Sequence, residues 1–233
     1  EDEAGDEKEP TVIVQAYQYN EYLGKLNVSF DEDGVVDTVA GELLAIAEYD
    51  EDEEAKEALA VFKERIDEIQ QQQIGATATA AFVNPRTSDS GNTAGTSVRN
   101  SETALGNLIT AGMLQKAKQF APNVVMALQN GGGIRQPIDA GPITVGEVIN
   151  VLPFGNTLAT MQVTGAELKE AFEHSLKEYP KESGGFLHVA GGRMTVDVEK
   201  PVGSRVQKIE YNNNGTWVEV QPSSTYTIAT NAF

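Results

Sequence analysis

Residues 128–135 read LQNGGGIR and follow directly on the apolar run VVMAL at 124–128. Three consecutive glycines let backbone amides approach a ligand closely, because no Cβ atom stands in the way. Arg135 adds a planar fork of donors that suits a phosphate or a carboxylate. Residues 152–156 read LPFGN, and Phe154 sits there in a Pro-Phe-Gly turn, where an aromatic face can stay uncovered. Together these features predict a nucleotide site.

The glycine run matches neither of the common phosphate-binding motifs. The Gly-x-Gly-x-x-Gly spacing of a dinucleotide site is absent, and no Gly-Lys-Ser/Thr follows as in a P-loop. Taken alone, three glycines are more typical of a tight turn than of a ligand site. The interpretation therefore depends on the flanking segments.

These flanking segments follow one another in a definite order. They are Arg99, ETALGNLI at 102–109, NGGGIR at 130–135, LPFGN at 152–156, GGFLHV at 184–189, GG at 191–192, Asp197 and RV at 205–206. In this order they resemble the C-terminal domain of the 5'-nucleotidase / UDP-sugar hydrolase family, and the likeness covers most of residues 75–233. Residues 12–17 and 22–26 look like the last strands of the same family's catalytic metallophosphatase domain.

The resemblance implies a substrate site built from six residues, namely Arg99, Asn130, Gly132, Gly133, Arg135 and Phe154. In that site the arginines hold phosphate, the phenylalanine stacks on the base, the asparagine contacts the base or its surroundings, and the glycine backbone shapes the pocket. Arg99 also lies just before a predicted helix, whose N-terminal amides favour an anion. The simpler alternatives are a surface salt bridge for Arg135, a turn cap for Asn130 and a core position for Phe154. In the family a second aromatic residue comes from a Gly-Gly-Asp-Gly-type segment, which would follow residues 231–233.

The family's chemistry is implied to need two divalent metal ions, zinc or manganese, held by clustered Asp, His and Asn side chains. The chain has two histidines, His174 and His188, and neither lies in an Asp-x-His or Gly-His-x-His pair. We therefore expect no catalytic residue and no metal ligand here, so that the chain binds nucleotide without hydrolysing it. The resemblance places the metals in an N-terminal catalytic domain, the expected partner of this chain in a periplasmic or secreted 5'-nucleotidase. The expected ligand is AMP, ADP, ATP or a UDP-sugar.

Acidic residues are concentrated at the start of the chain. Residues 1–70 hold 22 acidic and 5 basic residues, a net charge of −17, whereas the remaining 163 residues have a net charge of −1. An acidic face repels phosphates, which argues against nucleic acid as a partner. Salt adaptation should acidify every surface, which this local excess does not match. The chain has no run of about 18 apolar residues that would span a membrane, and without cysteine it forms no disulfide.

Hydrophobic periodicity predicts an α+β fold with a mixed sheet and packed helices, preceded by a linker helix. The clearest helix covers residues 51–73. Its apolar stripe, which we expect to pack on a domain, consists of Ala55, Leu59, Phe62, Ile66 and Ile69. Two strands around a short turn are predicted at 11–17 and 23–30, and further strands at 76–80 and after Gly184.

Between these strands the sequence predicts a loop at 84–96 and a helix from an N-cap at Ser101 to about Gln119, with Leu105, Leu108, Ile109 and Met113 facing inward. Thr144 and Thr164 each begin a capping box, because a glutamate follows three residues later. The first ten residues read as a solvated loop or a disordered end.

From these patterns we expect three segments. Residues 1–50 are the end of a metallophosphatase domain, residues 51–74 a connector helix, and residues 75–233 a nucleotide-binding domain. Two other functions stay open. An enzyme acting alone would release phosphate from AMP with added manganese or zinc. A non-catalytic acidic interaction module would instead use residues 1–70 to recruit basic partners or cations such as calcium.

Overall fold

A computed structural model of the chain describes residues 11–17 and 19–233. The chain divides into two compact units, Glu1–Arg65 and Ile66–Phe233, called unit 1 and unit 2 below. The loop or disordered end predicted for the first ten residues lies outside the described part. None of the described helices is both long enough and apolar enough to cross a membrane.

Unit 1 contains an antiparallel hairpin of β1 (Tyr22–Phe30) and β2 (Val36–Ala45), followed by a short 3-10 turn. The strand predicted at 23–30 is confirmed, but the one predicted at 11–17 is wrong, because that segment forms no strand. Its place as the partner of β1 is taken by β2. The turn at Asp31 decides this pairing, since its carboxylate accepts from the N–H groups of Asp33 and Val35.

Helix α1 (Glu53–Gln70) confirms the helix predicted at 51–73. Asp52 caps it, since its carboxylate accepts from the N–H of Ala55 at 2.8 Å. No residue of α1 is buried, and Phe62 is 67 % exposed. The expectation that its apolar stripe packs on a domain is not tested by either unit taken by itself and stays a prediction. The period of a stripe predicts a helix but does not specify what covers it.

The centre of unit 2 is a four-stranded mixed sheet in the order β6-β11-β4-β7. Its strands are β4 (Val124–Asn130), β6 (Leu158–Thr164), β7 (Leu187–Ala190) and β11 (Thr225–Asn231). β4 pairs in parallel with β11 and antiparallel with β7, while β6 is antiparallel to β11. Because β4 is central and covered on both faces, it is an unbroken apolar run rather than an alternating one.

Helices cover this sheet on both faces. On one face Met126 and Leu128 pack with α4 (Gly165–Ser175) through Leu168 and Phe172. On the other, Ala127 packs with α2 (Ala104–Lys118). The predicted α+β fold with a mixed sheet and packed helices is confirmed.

Two smaller sheets complete unit 2. Strands β8 (Gly192–Val196), β9 (Val206–Asn213) and β10 (Thr216–Glu219) form an antiparallel sheet, as the strand pattern after Gly184 predicts. β3 (Gln73–Ala78) pairs with β5 (Gly141–Thr144), which leads into the short helix α3 (Val145–Val151). β3 begins three residues earlier than predicted, and the loop predicted at 84–96 is confirmed.

The start of α2 differs from the prediction. Thr103, not Ser101, is its N-cap, because Thr103 has an extended backbone and its hydroxyl accepts from the N–H of Gly106 at 3.1 Å. The hydroxyl of Ser101 instead donates to the side chain of Asn100. Leu105 is fully buried as predicted, whereas Leu108 is 42 % exposed, so the inward position predicted for Leu108 is wrong.

Both predicted capping boxes are confirmed, and the one at α4 allows a direct test of its energy. Thr164 Oγ1 accepts from the N–H of Glu167 at 3.2 Å, and the Glu167 carboxylate accepts from the N–H of Thr164 at 2.7 Å. We expect Thr164→Ala to lower the free energy of unfolding by about 1 kcal/mol. Thr79→Ala, at an exposed position outside the helices and strands, should change it by less than about 0.5 kcal/mol. Urea unfolding of both variants measures the difference, and equal values would contradict a capping role.

Candidate functional site

The glycine turn after β4 brings three parts of unit 2 close together. Gly131–Gly133 form a single 3-10 turn. A Cβ atom on Gly131 would lie 2.1 Å from the carbonyl oxygen of Val98, and one on Gly132 would lie 2.9 Å from that of Gly184. The N–H groups of both glycines donate to backbone carbonyls, at 2.7 and 3.0 Å. The glycines are thus required for close packing of the chain, and two of their amides are used within the protein.

Arg135 follows this turn and lies beside Phe154. Its N–H donates at 2.9 Å to the carbonyl of Val151, the last residue of α3, and its Nη1 donates to the carbonyl of Gly132 at 3.3 Å. Its Cζ atom is 5.6 Å from the centroid of the Phe154 ring, within the range of a cation–π contact. Phe154 is 58 % exposed. The two predicted residues are therefore neighbours, and one aromatic face is left open.

Arg99 lies in the segment that leads into α2. Its N–H donates to Oγ of Ser97 at 3.0 Å, and its carbonyl accepts from the N–H of Ser183 at 2.9 Å. Its side-chain Nε is buried and has no hydrogen-bond partner among the residues that the structure describes. A buried donor on a charged group is costly when it lacks an acceptor. This atom is therefore suited to an acceptor from outside the protein.

A third arginine, Arg86, joins the two predicted ones. Its Nη2 donates to the carbonyl of Ile134 at 3.0 Å, and its Nη1 donates to Oδ1 of Asn84 at 2.6 Å. Burial lowers the pKa of Arg86, and the positive charges of Arg99 and Arg135 also lower it. Arg86 is thus close enough to Arg99 and to Arg135 to be repelled by each, while the carboxylates of Glu182 and Asp89 raise its pKa and offset part of that repulsion. Sequence reasoning missed Arg86 because it stands in a stretch whose composition predicts only a loop.

Phe154 lines a recess with an apolar wall and several amide side chains. The recess is bounded by Met113, Gln129, Gly133, Leu152, Phe154, Gly155, Asn156, Thr157, Leu158 and Asn231. Of the predicted site residues, Gly133 and Phe154 line it directly. A flat apolar surface beside a few polar groups is the usual composition of a small-molecule site, and here it suits an aromatic base.

Three amide side chains next to this recess form one network. Oδ1 of Asn130 accepts from Nε2 of Gln129 at 3.1 Å and from Nδ2 of Asn231 at 3.0 Å. The Nδ2 group of Asn130 lies 3.3 Å from the carbonyl oxygen of Gly184. The network therefore fixes the orientation of the Asn130 amide. Sequence reasoning missed Gln129 and Asn231, because they meet only through the pairing of β4 with β11.

The two histidines do not form a metal site. His188 is 2 % exposed, and its Nε2 lies 2.8 Å from the carbonyl oxygen of Val98. Burial lowers the pKa of His188, which favours the neutral ring, while His174 is exposed. Within residues 11–17 and 19–233 no group of three or more His, Cys, Asp or Glu side chains is placed to hold a metal ion. The metals that the resemblance implies thus find no fitting ligand set in the described part of the chain.

Comparisons with known proteins show the family of this chain. Residues 73–233 match the family described as "5'-nucleotidase, C-terminal domain". The chain is 40 % identical over 230 residues to the "Trifunctional nucleotide phosphoesterase protein YfkN" of Bacillus subtilis (strain 168), covering 97 % of the chain and 15 % of that protein. It is 34 % identical over 207 residues to the 5'-nucleotidase of Homo sapiens, covering 85 % of the chain and 34 % of that protein.

A solved structure is similar to this chain in both fold and sequence. The crystal structure of a 5'-nucleotidase precursor from Thermus thermophilus matches with a TM-score of 0.67 and 39 % identity, over 94 % of this chain and 41 % of that one. The chain therefore belongs to the 5'-nucleotidase family and contains its C-terminal domain, which confirms the predicted family. It spans between 15 % and 41 % of the length of these three proteins.

Proposed function

We propose that residues 75–233 bind a nucleotide substrate as the C-terminal domain of a metal-dependent 5'-nucleotidase, which hydrolyses nucleoside 5'-phosphates to nucleoside and phosphate. The proposal rests on the buried Nε of Arg99, which lacks an acceptor within the described residues and belongs to a group of three arginines beside the exposed ring of Phe154. A phosphate oxygen would supply that acceptor through a charge-assisted hydrogen bond. The relatives named 5'-nucleotidase support the same interpretation.

Each residue of the proposed site contacts a different part of the nucleotide or shapes the pocket. Arg86, Arg99 and Arg135 bind phosphate, and Phe154 stacks on the base. Asn130, held by its amide network, contacts the base or the adjoining sugar. The glycine turn, including Gly132 and Gly133, shapes the pocket by letting its walls approach. Because stacking on one ring tolerates different bases, AMP, ADP, ATP and UDP-sugars are all candidate ligands.

Hydrolysis would belong to a different part of the parent enzyme. We assign residues 1–50 to the end of its metallophosphatase domain and residues 51–74 to a connector helix. That domain would hold two divalent ions, zinc or manganese, and this chain alone would be inactive. Unit 1 leaves apolar side chains uncovered, such as Ile13 at 90 % and Phe30 at 61 % exposure, which suits packing against the rest of such a domain. A periplasmic or secreted location is proposed, supported by relatives named snake venom 5'-nucleotidase.

Calorimetric titration of the chain with AMP tests the proposal. We expect Phe154→Ala to raise the Kd for AMP about tenfold, because a base stacked on one ring contributes roughly 1–3 kcal/mol. Phe120→Ala is the matched control, since Phe120 is 57 % exposed and lies outside the recess. The control variant should bind AMP as the unsubstituted chain does.

Two further measurements test the other two functions. Binding of calcium or of a basic peptide that ignores Phe154→Ala but weakens sharply with added salt would indicate an acidic interaction or cation-binding module built on residues 1–70. Release of phosphate from AMP by this chain with added manganese or zinc would indicate an enzyme that acts alone. Absence of AMP binding would reject the nucleotide site.

A further inference from the structure

Glu182 joins the two ends of the loop that carries two of the three arginines. It is half-buried in the connection between α4 and β7. Its Oε1 accepts from the N–H of Thr87 at 3.1 Å and from the hydroxyl of Ser97 in a short hydrogen bond. Thr87 follows Arg86 directly, and Ser97 precedes Arg99 by two residues. One carboxylate oxygen thus connects the neighbours of both arginines.

The hydrogen bonds continue from Glu182 to the backbone of Arg99. Ser97 is fully buried, and its Oγ accepts from the N–H of Arg99 at 3.0 Å while its hydroxyl proton is donated to Glu182. Ser183, next to Glu182, donates its N–H to the carbonyl of Arg99 at 2.9 Å. The N–H of Arg99 is therefore linked through Ser97 to Glu182, and its carbonyl is bonded directly to Ser183.

The same connection has an attachment that does not involve the Glu182 side chain. Nδ2 of Asn100 donates to the carbonyl of Pro180 at 2.9 Å, and the bond from Ser183 to Arg99 is between backbone groups. Loss of the Glu182 carboxylate should therefore loosen the loop without detaching it. This makes a variant at this position suitable for measurement.

The charge of Glu182 also acts on the arginine group. Burial alone would raise the pKa of Glu182, but hydrogen bonds from Ser97 and Thr87 and the charge of Arg86 together hold the pKa below its usual value. The carboxylate is thus ionised at neutral pH. In turn it raises the pKa of Arg86, against the lowering by burial, Arg99 and Arg135. Glu182 offsets part of the repulsion among the three guanidinium groups.

We propose that Glu182 is a positioning residue, which holds Arg86 and Arg99 where both can bind one phosphate group. It acts through Thr87 and Ser97 and does not itself touch the ligand. This role rests on the nucleotide-binding function proposed above, because it explains how two arginines 13 positions apart in the sequence meet at one anion.

Hydrogen exchange without any ligand tests the anchoring directly. In Glu182→Ala we expect the amides of residues 84–100 to exchange about tenfold faster, because two hydrogen bonds to a charged acceptor are lost. Glu182→Gln keeps an oxygen acceptor for both donors and should stay close to the unsubstituted chain. Glu178→Ala is the charge-matched control, since Glu178 is an exposed glutamate in the same connection. Unchanged exchange at 84–100 in Glu182→Ala would overturn the proposal.

Ligand binding separates positioning from a general effect on folding. In Glu182→Ala the Kd for AMP should rise about tenfold, and the Kd for adenosine should change less than about twofold, because adenosine has no phosphate. Glu182→Gln should bind AMP at least as tightly as the unsubstituted chain, since a negative charge near the phosphate is removed. Equal weakening of AMP and adenosine would overturn the role. If the unsubstituted chain binds no AMP, the proposed function fails, while hydrogen exchange still decides whether Glu182 holds the loop.

Discussion

Arg99→Ala is expected to raise the Kd of the chain for AMP by about 10- to 150-fold, which corresponds to about 1.5–3 kcal/mol for hydrogen bonds to a charged group. The reason is the buried Nε, which in the described residues has no acceptor of its own and would gain one from the phosphate. Adenosine lacks that phosphate, so its Kd should change little. Calorimetric titration with both ligands measures the difference.

A charge-matched control is needed, because removing any positive charge weakens an anion's binding at long range. Arg65→Ala serves this purpose, since Arg65 is an exposed residue of α1. A long-range effect is screened at physiological salt, so Arg65→Ala should leave the Kd for AMP nearly unchanged. Equal losses in the two variants, or equal losses of AMP and adenosine in Arg99→Ala, would contradict a direct phosphate contact.

Local signals predict much of the fold. The capping boxes at Thr144 and Thr164 are confirmed because a cap depends on residues within one helical turn. The hairpin of unit 1 differs from the prediction, because the residues on both sides of β1 have strand-like patterns and only the turn at Asp31 selects β2 as the partner. The hydrophobic periodicity of a strand does not specify which other strand it pairs with.

In the candidate site, too, local motifs predict some residues, whereas others meet only through the fold. Arg135 and Phe154 could be placed near each other because each adjoins a conspicuous motif, the glycine run and the Pro-Phe-Gly turn. Arg86 could not, since it reaches the group only through the fold of the loop that follows it. The contact of Gln129 with Asn231 likewise joins residues 102 positions apart, and it exists only because β4 and β11 are neighbours in the sheet.

The sequence does not distinguish a glycine that close packing requires from a glycine that could be replaced by alanine. Helix α2 contains one of each. A Cβ atom on Gly106 would lie 2.0 Å from Nδ1 and 2.3 Å from Cγ of His188, whereas a Cβ atom on Gly112 would have no neighbour within 4 Å. The same substitution at these two positions should therefore have opposite effects.

Gly106→Ala is expected to lower the free energy of unfolding by about 2–3 kcal/mol, near the upper end of the usual cost of overpacking. The His188 ring cannot move aside easily, because it is 2 % exposed and its Nε2 is bonded to the carbonyl of Val98 at 2.8 Å. A shift of the ring would also disturb Val98, which precedes Arg99, so the affinity for AMP should fall as well. Urea unfolding and AMP titration of one variant measure both effects.

Gly112→Ala provides the matched control in the same helix. Gly112 is exposed and has a negative φ, so alanine there should raise the free energy of unfolding by about 0.5–1 kcal/mol through its higher helix propensity. The affinity for AMP should not change. A Gly106→Ala protein as stable as Gly112→Ala would mean that the His188 ring has room to move, and that its contact with Gly106 does not hold the segment before Arg99 in place.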